Sequence, residues 1–272
     1  MDFSKKVYGG LFAPAMALAF TLGMPASAAA DIVFATEGDY PPWNQHQPDG
    51  KFAGFDIDLV NALCTSLGES CQIVTDTFPA MIDAVAEEAF DAIISGIAIT
   101  AEREEKIAFT RPYMSYAASF AARSGSALAA DATAANADLL NGLAGARIGA
   151  QAATVNAQLV ESLVPDATLV TFGDQGALNR ALAGGDIDAA LAGTQTWKDP
   201  APAAPDAIVV IGSPFTSADY PLLGQGLGIG VAKGNDKLKA SLDGAVCDLT
   251  ADGTIAKLSR IWFGADLSVP CK

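Results

Sequence analysis

Arg103 carries the most pointed chemistry in the chain. It follows Thr100, whose hydroxyl suits a helix start, and a guanidinium there offers a planar fork of N–H donors to a carboxylate. On residue type alone it could instead pair with Glu102 or Glu105 on a solvated face. Thr154 opens a second candidate helix, whose first-turn amides have no acceptor inside the helix and can point at the same anion. Other chemistry is thin. One histidine, His46, and four cysteines do not supply the clustered ligands that zinc, haem or iron–sulfur centres need, and no Cys-x-x-Cys pair is present for redox work. No metal or cofactor is expected. The glycine-rich run Gly224 to Gly230 invites a dinucleotide reading, but Leu227, Ile229 and Val231 alternate as in a strand, and the G-x-G-x-x-G spacing is not met.

These residues need elements to position them. Ile32 to Thr36 is a short β-type run, and Asp39-Tyr40-Pro41-Pro42-Trp43-Asn44 must be a loop, because two consecutive prolines forbid helix and central strand alike. Ile57, Val60, Cys64 and Leu67 fall at helical spacing up to Gly68, a stop signal, and Ile73-Val74 begins the next strand. Pro79 to Glu88 is a second helix with proline in its first turn. Strand and helix alternate, which predicts an α/β fold with parallel sheets. A partial repeat, Asp91-Ala92-Ile93-Ile94-Ser95-Gly96 and Asp188-Ala189-Ala190-Leu191-Ala192-Gly193, each after a helix, predicts two similar sheets. Arg147 to Gln151 opens the second sheet, and Thr154 caps the helix through Val155, Leu159 and Leu163. Further β-type runs are Thr168–Phe172 and Ile208–Ile211, the proline-rich Lys198–Pro205 is a surface loop, and the chain finishes with helices over Leu238–Leu249 and Gly253–Trp262. The alanine-rich stretch Ser124 to Gly145 reads as an insertion of helix or loop.

With 272 residues, 51% of them hydrophobic and 17% charged, the chain can bury one large core or two small ones. Acidic residues outnumber basic ones 31 to 16, and the net charge of −15 repels phosphate backbones and anionic lipid, which excludes nucleic-acid and polybasic membrane roles. Lys5 and Lys6, the mostly apolar stretch Val7–Phe20 and the small residues Pro25-Ala26-Ser27-Ala28 make residues 1–30 an expected cleavable export signal, with the mature chain starting near Asp31. No cysteine follows that cleavage site, and no later apolar run approaches the roughly 20 residues of a spanning helix, so membrane anchoring is not expected. Export permits disulfides. Cys64 pairs with its neighbour Cys71, and Cys247 with Cys271, the alternative being buried free thiols.

Three stretches resemble bacterial extracellular solute-binding proteins of family 3, the periplasmic amino-acid receptors of ABC importers. They are Ala35-Thr36-Glu37-Gly38-Asp39-Tyr40-Pro41-Pro42-Trp43, Gly50-Lys51-Phe52-Ala53-Gly54-Phe55-Asp56-Ile57-Asp58-Leu59, and Asp91 through Gly96 on to Thr100-Ala101-Glu102-Arg103. Asp252-Gly253-Thr254 through Trp262-Phe263-Gly264 is similar to the family's C-terminal helix. Glu37-Gly38, Pro42-Trp43-Asn44, the Cys64 to Cys71 spacing and the long insertion resemble the lysine/arginine/ornithine, histidine and opine-binding branch. The resemblance implies a two-lobed fold, each lobe a mostly parallel sheet flanked by helices with ligand between them. Lobe 1 is then residues 31–117 plus 218–272 and lobe 2 residues 118–217, with crossings near Met114–Ser119 and Ser213–Tyr220.

The resemblance also implies a site. Arg103 binds the ligand carboxylate with help from the helix start at Thr154, Tyr40 and Phe78 are aromatic walls for the ligand side chain, Glu37 receives a distal cationic group, and Ser95, beside Gly96, adds a hydrogen bond. Three positions depart from the family pattern. Ala98 and Val155 stand where hydroxyl side chains are usual, and Gly193 stands where an aspartate usually clamps the α-ammonium. The expected ligand is therefore a small-molecule amino acid or derivative, cationic or opine-like, with a modified or missing α-amine. The expected partner is an ABC importer permease, the expected state a monomer and the expected compartment the periplasm. An enzyme on the same scaffold, similar to a cyclohexadienyl or arogenate dehydratase, is the alternative; it would need a general acid or base in the cleft, and His46 is its weak candidate.

Overall fold

The structure is a computed structural model describing Met1, residues 31–198 and residues 206–271. Residues 2–30, which carry the expected export signal, and residues 199–205, most of the expected proline-rich loop, lie outside the described residues. In chain order the first elements are β1 (Ile32–Thr36), β2 (Asp39–Tyr40), β3 (Asn44–His46), β4 (Phe52–Ala53), α1 (Phe55–Leu67), β5 (Cys71–Thr75), α2 (Phe78–Ala86), β6 (Ala92–Ile93), α3 (Ala101–Glu104) and β7 (Ile107–Phe109). There follow β8 (Ala117–Arg123), α4 (Asn136–Gly142), β9 (Arg147–Gln151), α5 (Val155–Leu163), β10 (Thr168–Phe172), α6 (Gln175–Gly184), β11 (Ala189–Gly193) and β12 (Ile208–Thr216). The chain closes with β13 (Gly230–Ala232), α7 (Asp236–Ala251) and α8 (Thr254–Phe263).

Two five-stranded sheets form, in the orders β5-β1-β6-β13-β7 and β10-β9-β11-β8-β12, with β2, β3 and β4 as a small separate sheet. Each large sheet is mixed. β1 runs parallel to β5 and β6, while β13 is antiparallel to β6 and β7. Likewise β9 runs parallel to β10 and β11, while β8 is antiparallel to β11 and β12. Half of the neighbouring pairs are therefore antiparallel, more than helix–strand alternation alone suggests, because β8, β12 and β13 enter without the crossover helix that a parallel neighbour requires.

The partial repeat has a structural meaning. Asp91 Oδ2 accepts from Val33 N at 2.8 Å, and Asp91 N donates to Val33 O at 3.0 Å. In the second sheet Asp188 Oδ2 accepts from Arg147 N at 2.8 Å, and Asp188 N donates to Arg147 O at 2.9 Å. One aspartate thus clasps the first turn of a neighbouring strand in each sheet, setting register before the central strand begins. The insertion holds a 3-10 turn at Leu128–Asp131 and α4, so it is helix and loop.

Apolar faces decide the layering. On one side of the first sheet α1 packs against α7 and α8, burying Phe55, Leu59, Leu63, Leu242, Val246 and Ile255. On the other side α2 turns Met81 and Val85 toward Ile93 and Ile107. Fully burying each such side chain is worth roughly 1.5–3 kcal/mol. The α1 helix ends at Gly68, whose φ of 69° needs no Cβ, and the chain then reverses into β5. Cys64 of α1 is bonded to Cys71 of β5 across that reversal, and Cys247 of α7 to Cys271, with Cα separations of 6.2 Å and 5.3 Å. Among the described residues no helix is long and apolar enough to cross a membrane.

Candidate functional site

The carboxyl ends of the central strands of both sheets lead into one region: β1 into Glu37, β6 into Ser95 and Gly96, β9 into Thr154, and β11 ends on Gly193. In open α/β sheets this is where ligands bind. A small cavity of about 20 Å³ lies there, lined by Tyr40, Phe78, Ser95, Gly96, Ala98, Arg103, Tyr116, Gln151, Thr154, Val155 and Asn156. Eight of the ten residues singled out from the sequence are in that lining. Glu37 and Gly193 are not, though both sit one contact away. Gln151 Nε2 donates to Glu37 Oε1 at 2.6 Å. A Cβ on Gly193 would lie 3.1 Å from the Tyr40 hydroxyl and 3.2 Å from the Tyr116 ring.

Arg103 is 7% exposed, so it does not lie on a solvated face. Thr100 caps α3 by accepting from Arg103 N at 3.3 Å, which fixes the start of the side chain. Its Nη1 donates to Ala98 O at 2.9 Å and its Nη2 to Ala153 O at 3.2 Å, while the guanidinium carbon lies 5.4 Å from the centre of the Phe78 ring. Glu102 instead accepts from Gln158 at 2.9 Å. Among the described residues no carboxylate comes within 4 Å of Arg103, and burial lowers its pKa to about 10. Two carbonyls hold the cation in place without neutralising it, an arrangement suited to a bound anion. Phe78 faces this protein cation, which gives the aromatic wall a second role beside the one expected for a ligand.

The opposite side of the cavity is the start of α5. Thr154 Oγ1 donates to Gln151 O at 2.7 Å and accepts from Ala157 N at 3.3 Å, so the helix end is capped. The amides of Val155 and Asn156, both in the lining, have no acceptor within the helix and add partial positive charge. Asn156 Oδ1 accepts from the Tyr116 hydroxyl at 2.9 Å, and Thr196 Oγ1 donates to the Tyr40 hydroxyl at 3.2 Å.

The wall from the first sheet rests on a buried polar network. Asn44 Nδ2 donates to Asp56 Oδ2 at 2.8 Å and to Ser95 Oγ at 3.2 Å, and Asn44 Oδ1 accepts from Gly38 N at 2.7 Å. Asp56 therefore ties the Tyr40 loop to the Ser95 turn from its place in the first turn of α1. Burial pushes the Asp56 carboxyl up to about 7, against the pull of the Asn44 amide. Gly96 has a φ of 52°, and a Cβ there would come within 3.1 Å of the Tyr40 ring, so glycine lets the turn and the ring meet. Burial pushes Glu37 further, to about 8; the Gln151 hydrogen bond opposes the rise, and the nearby Asp174 and Asp39 add to it.

Sequence reasoning missed Tyr116, Gln151 and Asn156 as lining residues. Each was adjacent to something already noted: Tyr116 falls in the expected first crossing, Gln151 ends a recognised strand, and Asn156 sits in the first turn after Thr154. His46 is exposed on β3, packed against Phe52, and does not line the cavity. Among the described residues no group of three His, Cys, Asp or Glu side chains is placed to hold a metal.

Two mixed α/β sheets with a polar cavity between their strand ends, entered by one buried guanidinium, define a small-molecule binding protein of the two-lobed type. Residues 32–265 match the bacterial extracellular solute-binding proteins, family 3, and the chain belongs to that family. It is 32% identical over 250 residues to the L-arginine-binding protein of Pseudomonas aeruginosa, covering 90% of this chain and 93% of that one. It is 30% identical over 288 residues to the octopine-binding periplasmic protein of Rhizobium meliloti, covering 93% and 96%. A solved structure of an ancestral arginine-binding protein bound to arginine superposes with a TM-score of 0.76 at 25% identity, covering 87% of this chain and all of that one.

Proposed function

We propose that the protein is the periplasmic substrate-binding receptor of an ABC-type importer, capturing an amino acid or amino-acid derivative, cationic or opine-like, and delivering it to a membrane permease. The observation that carries this is Arg103: a buried guanidinium, held by two carbonyls and facing a cavity between two sheets, asks for a carboxylate from outside. Relatives named for arginine and octopine support the ligand class. Residues 31–117 plus 218–272 form lobe 1 and residues 118–217 lobe 2, each closing on the ligand as a monomer. Residues 1–30 are the export signal. Gln151 to Glu37, Gln158 to Glu102 and Arg103 to Ala153 join the two sides and supply contacts that favour the closed form. To invert an open-to-closed equilibrium of 99:1, ligand must prefer the closed form by about 10⁴-fold.

Calorimetry of wild type and Arg103→Ala tests the reading. Binding of a carboxylate ligand is expected to be lost in the variant while circular dichroism is unchanged; unaltered affinity would put the anion site elsewhere. Incubation with arogenate or prephenate tests the dehydratase-like alternative, and binding without product is expected.

A further inference from the structure

Glu37 stands where the two sides meet, and its carboxyl is only half satisfied. Its Oε1 accepts from Gln151 Nε2 of the second sheet at 2.6 Å, while its Oε2 is buried and receives no hydrogen bond. Through Gln151, and through its own N–H to Ser95 Oγ at 3.4 Å, it adjoins the cavity that Arg103 lines. Among the described residues no Lys, Arg or His nitrogen comes within 4 Å of it. The charges around it are mostly of its own sign. Asp39 on β2 and Asp174 at the cap of α6 oppose its ionisation, Asp76 after β5 lines one open groove with all three, and the Tyr40 hydroxyl lies close enough to feel its charge. The basic groups nearby, His46 and Arg180, act on Asp39. Gln151 and the Gln175 amide at the start of α6 favour the ionised carboxyl, but burial outweighs them and pushes its pKa up to about 8.

A buried carboxylate with one bare oxygen and acidic neighbours needs either a proton or a cation. A ligand cation that reaches Oε2 forms a charge-assisted pair with the ionised group, and the proton leaves to solvent. A ligand that is neutral at that end leaves the proton in place. The two complexes then differ by one bound proton, so their relative affinities change with pH, whatever the open form holds. We propose that a proton and a ligand cation compete for Glu37 Oε2, so that this residue sets the preference between cationic and neutral side chains according to the ambient acidity. The inference rests on the receptor reading and adds a regulation of the same site.

Calorimetry on the full mature protein tests it with arginine and citrulline, which share a head group and chain and differ in a guanidinium against a neutral ureido group. Between about pH 5.5 and about pH 7.5 the ratio of their affinities, arginine over citrulline, is expected to rise about tenfold per pH unit, roughly a hundredfold in all. Asp56 titrates in the same window, but it stands behind Ser95 in both complexes and drops out of the ratio. Glu37→Gln keeps an acceptor for Gln151 and is expected to give a ratio that does not move with pH. A flat ratio in wild type, or the same slope in Glu37→Gln, would overturn the inference. So would citrulline that fails to bind at the acid end or arginine that fails to bind at the neutral end. In each of these cases, binding that is lost in Arg103→Ala leaves the receptor reading standing. Binding that ignores Arg103 would overturn the anion site alone, with the slope still deciding for Glu37, and no binding of either ligand would overturn both.

Discussion

At the scale of single residues, the site is governed by which groups lose water. Glu37 and Asp56 are both carboxyls raised by burial, to about 8 and about 7. In the unfolded chain they ionise near pH 4, so between pH 4 and pH 8 the folded state binds more protons than the unfolded state. Stability therefore falls as pH rises through that window and levels off above it. Above pH 7 Glu37 contributes most, since Asp56 is already half ionised at about pH 7. The melting temperature of wild type is expected to fall more steeply from pH 7 to pH 8 than that of Glu37→Gln; parallel profiles would show that Glu37 is already ionised. Arg103 was legible in the sequence because it ends the stretch from Asp91 that resembles the family; on residue type alone it could have paired with Glu102 or Glu105. Gln151 and Asn156 were not, because amides are common at strand and helix ends, and only the packing of α5 against the cavity gives these two a face.

Secondary-structure elements show where local pattern suffices and where it does not. Gly68 stops α1, Thr154 starts α5 and proline lies in the first turn of α2, all as local sterics and capping require. Strand direction was less legible. Helices between strands read as crossovers, but β13 returns to the first sheet from far along the chain and pairs antiparallel with both neighbours, a long-range event that no local window contains. Register was present in the sequence as the Asp91 and Asp188 repeat, although its cause, a carboxylate clasping the next strand, needed coordinates. Covalent bracing can be sized from loop length. The bond between Cys247 and Cys271, 24 residues apart, is expected to contribute about 3.5 kcal/mol, and the bond across seven residues about 2.5 kcal/mol. Denaturant titration of Cys247→Ser/Cys271→Ser should show the larger loss, and a midpoint equal to wild type would mean the bond adds nothing.

For the whole molecule, the structure has the two sides in contact: Gln151, Gln158 and Ala153 on one side meet Glu37, Glu102 and Arg103 on the other. Opening must break these bonds and expose Arg103 to water, and ligand must more than restore what opening gains. Small-angle scattering is expected to show a smaller radius of gyration on adding a bound carboxylate, with Arg103→Ala giving superimposable curves. A net charge of −15 adds a general repulsion between copies that weakens with salt.

Both disulfides brace α1, β5, α7 and the chain's end, all on the side that carries Arg103, and neither spans the gap. Thiol reductants would thus soften one shell of the clasp while leaving its jaw free to swing. Heat tolerance and grip become separately adjustable properties: a reduced molecule should melt earlier yet hold its cargo as tightly at room temperature.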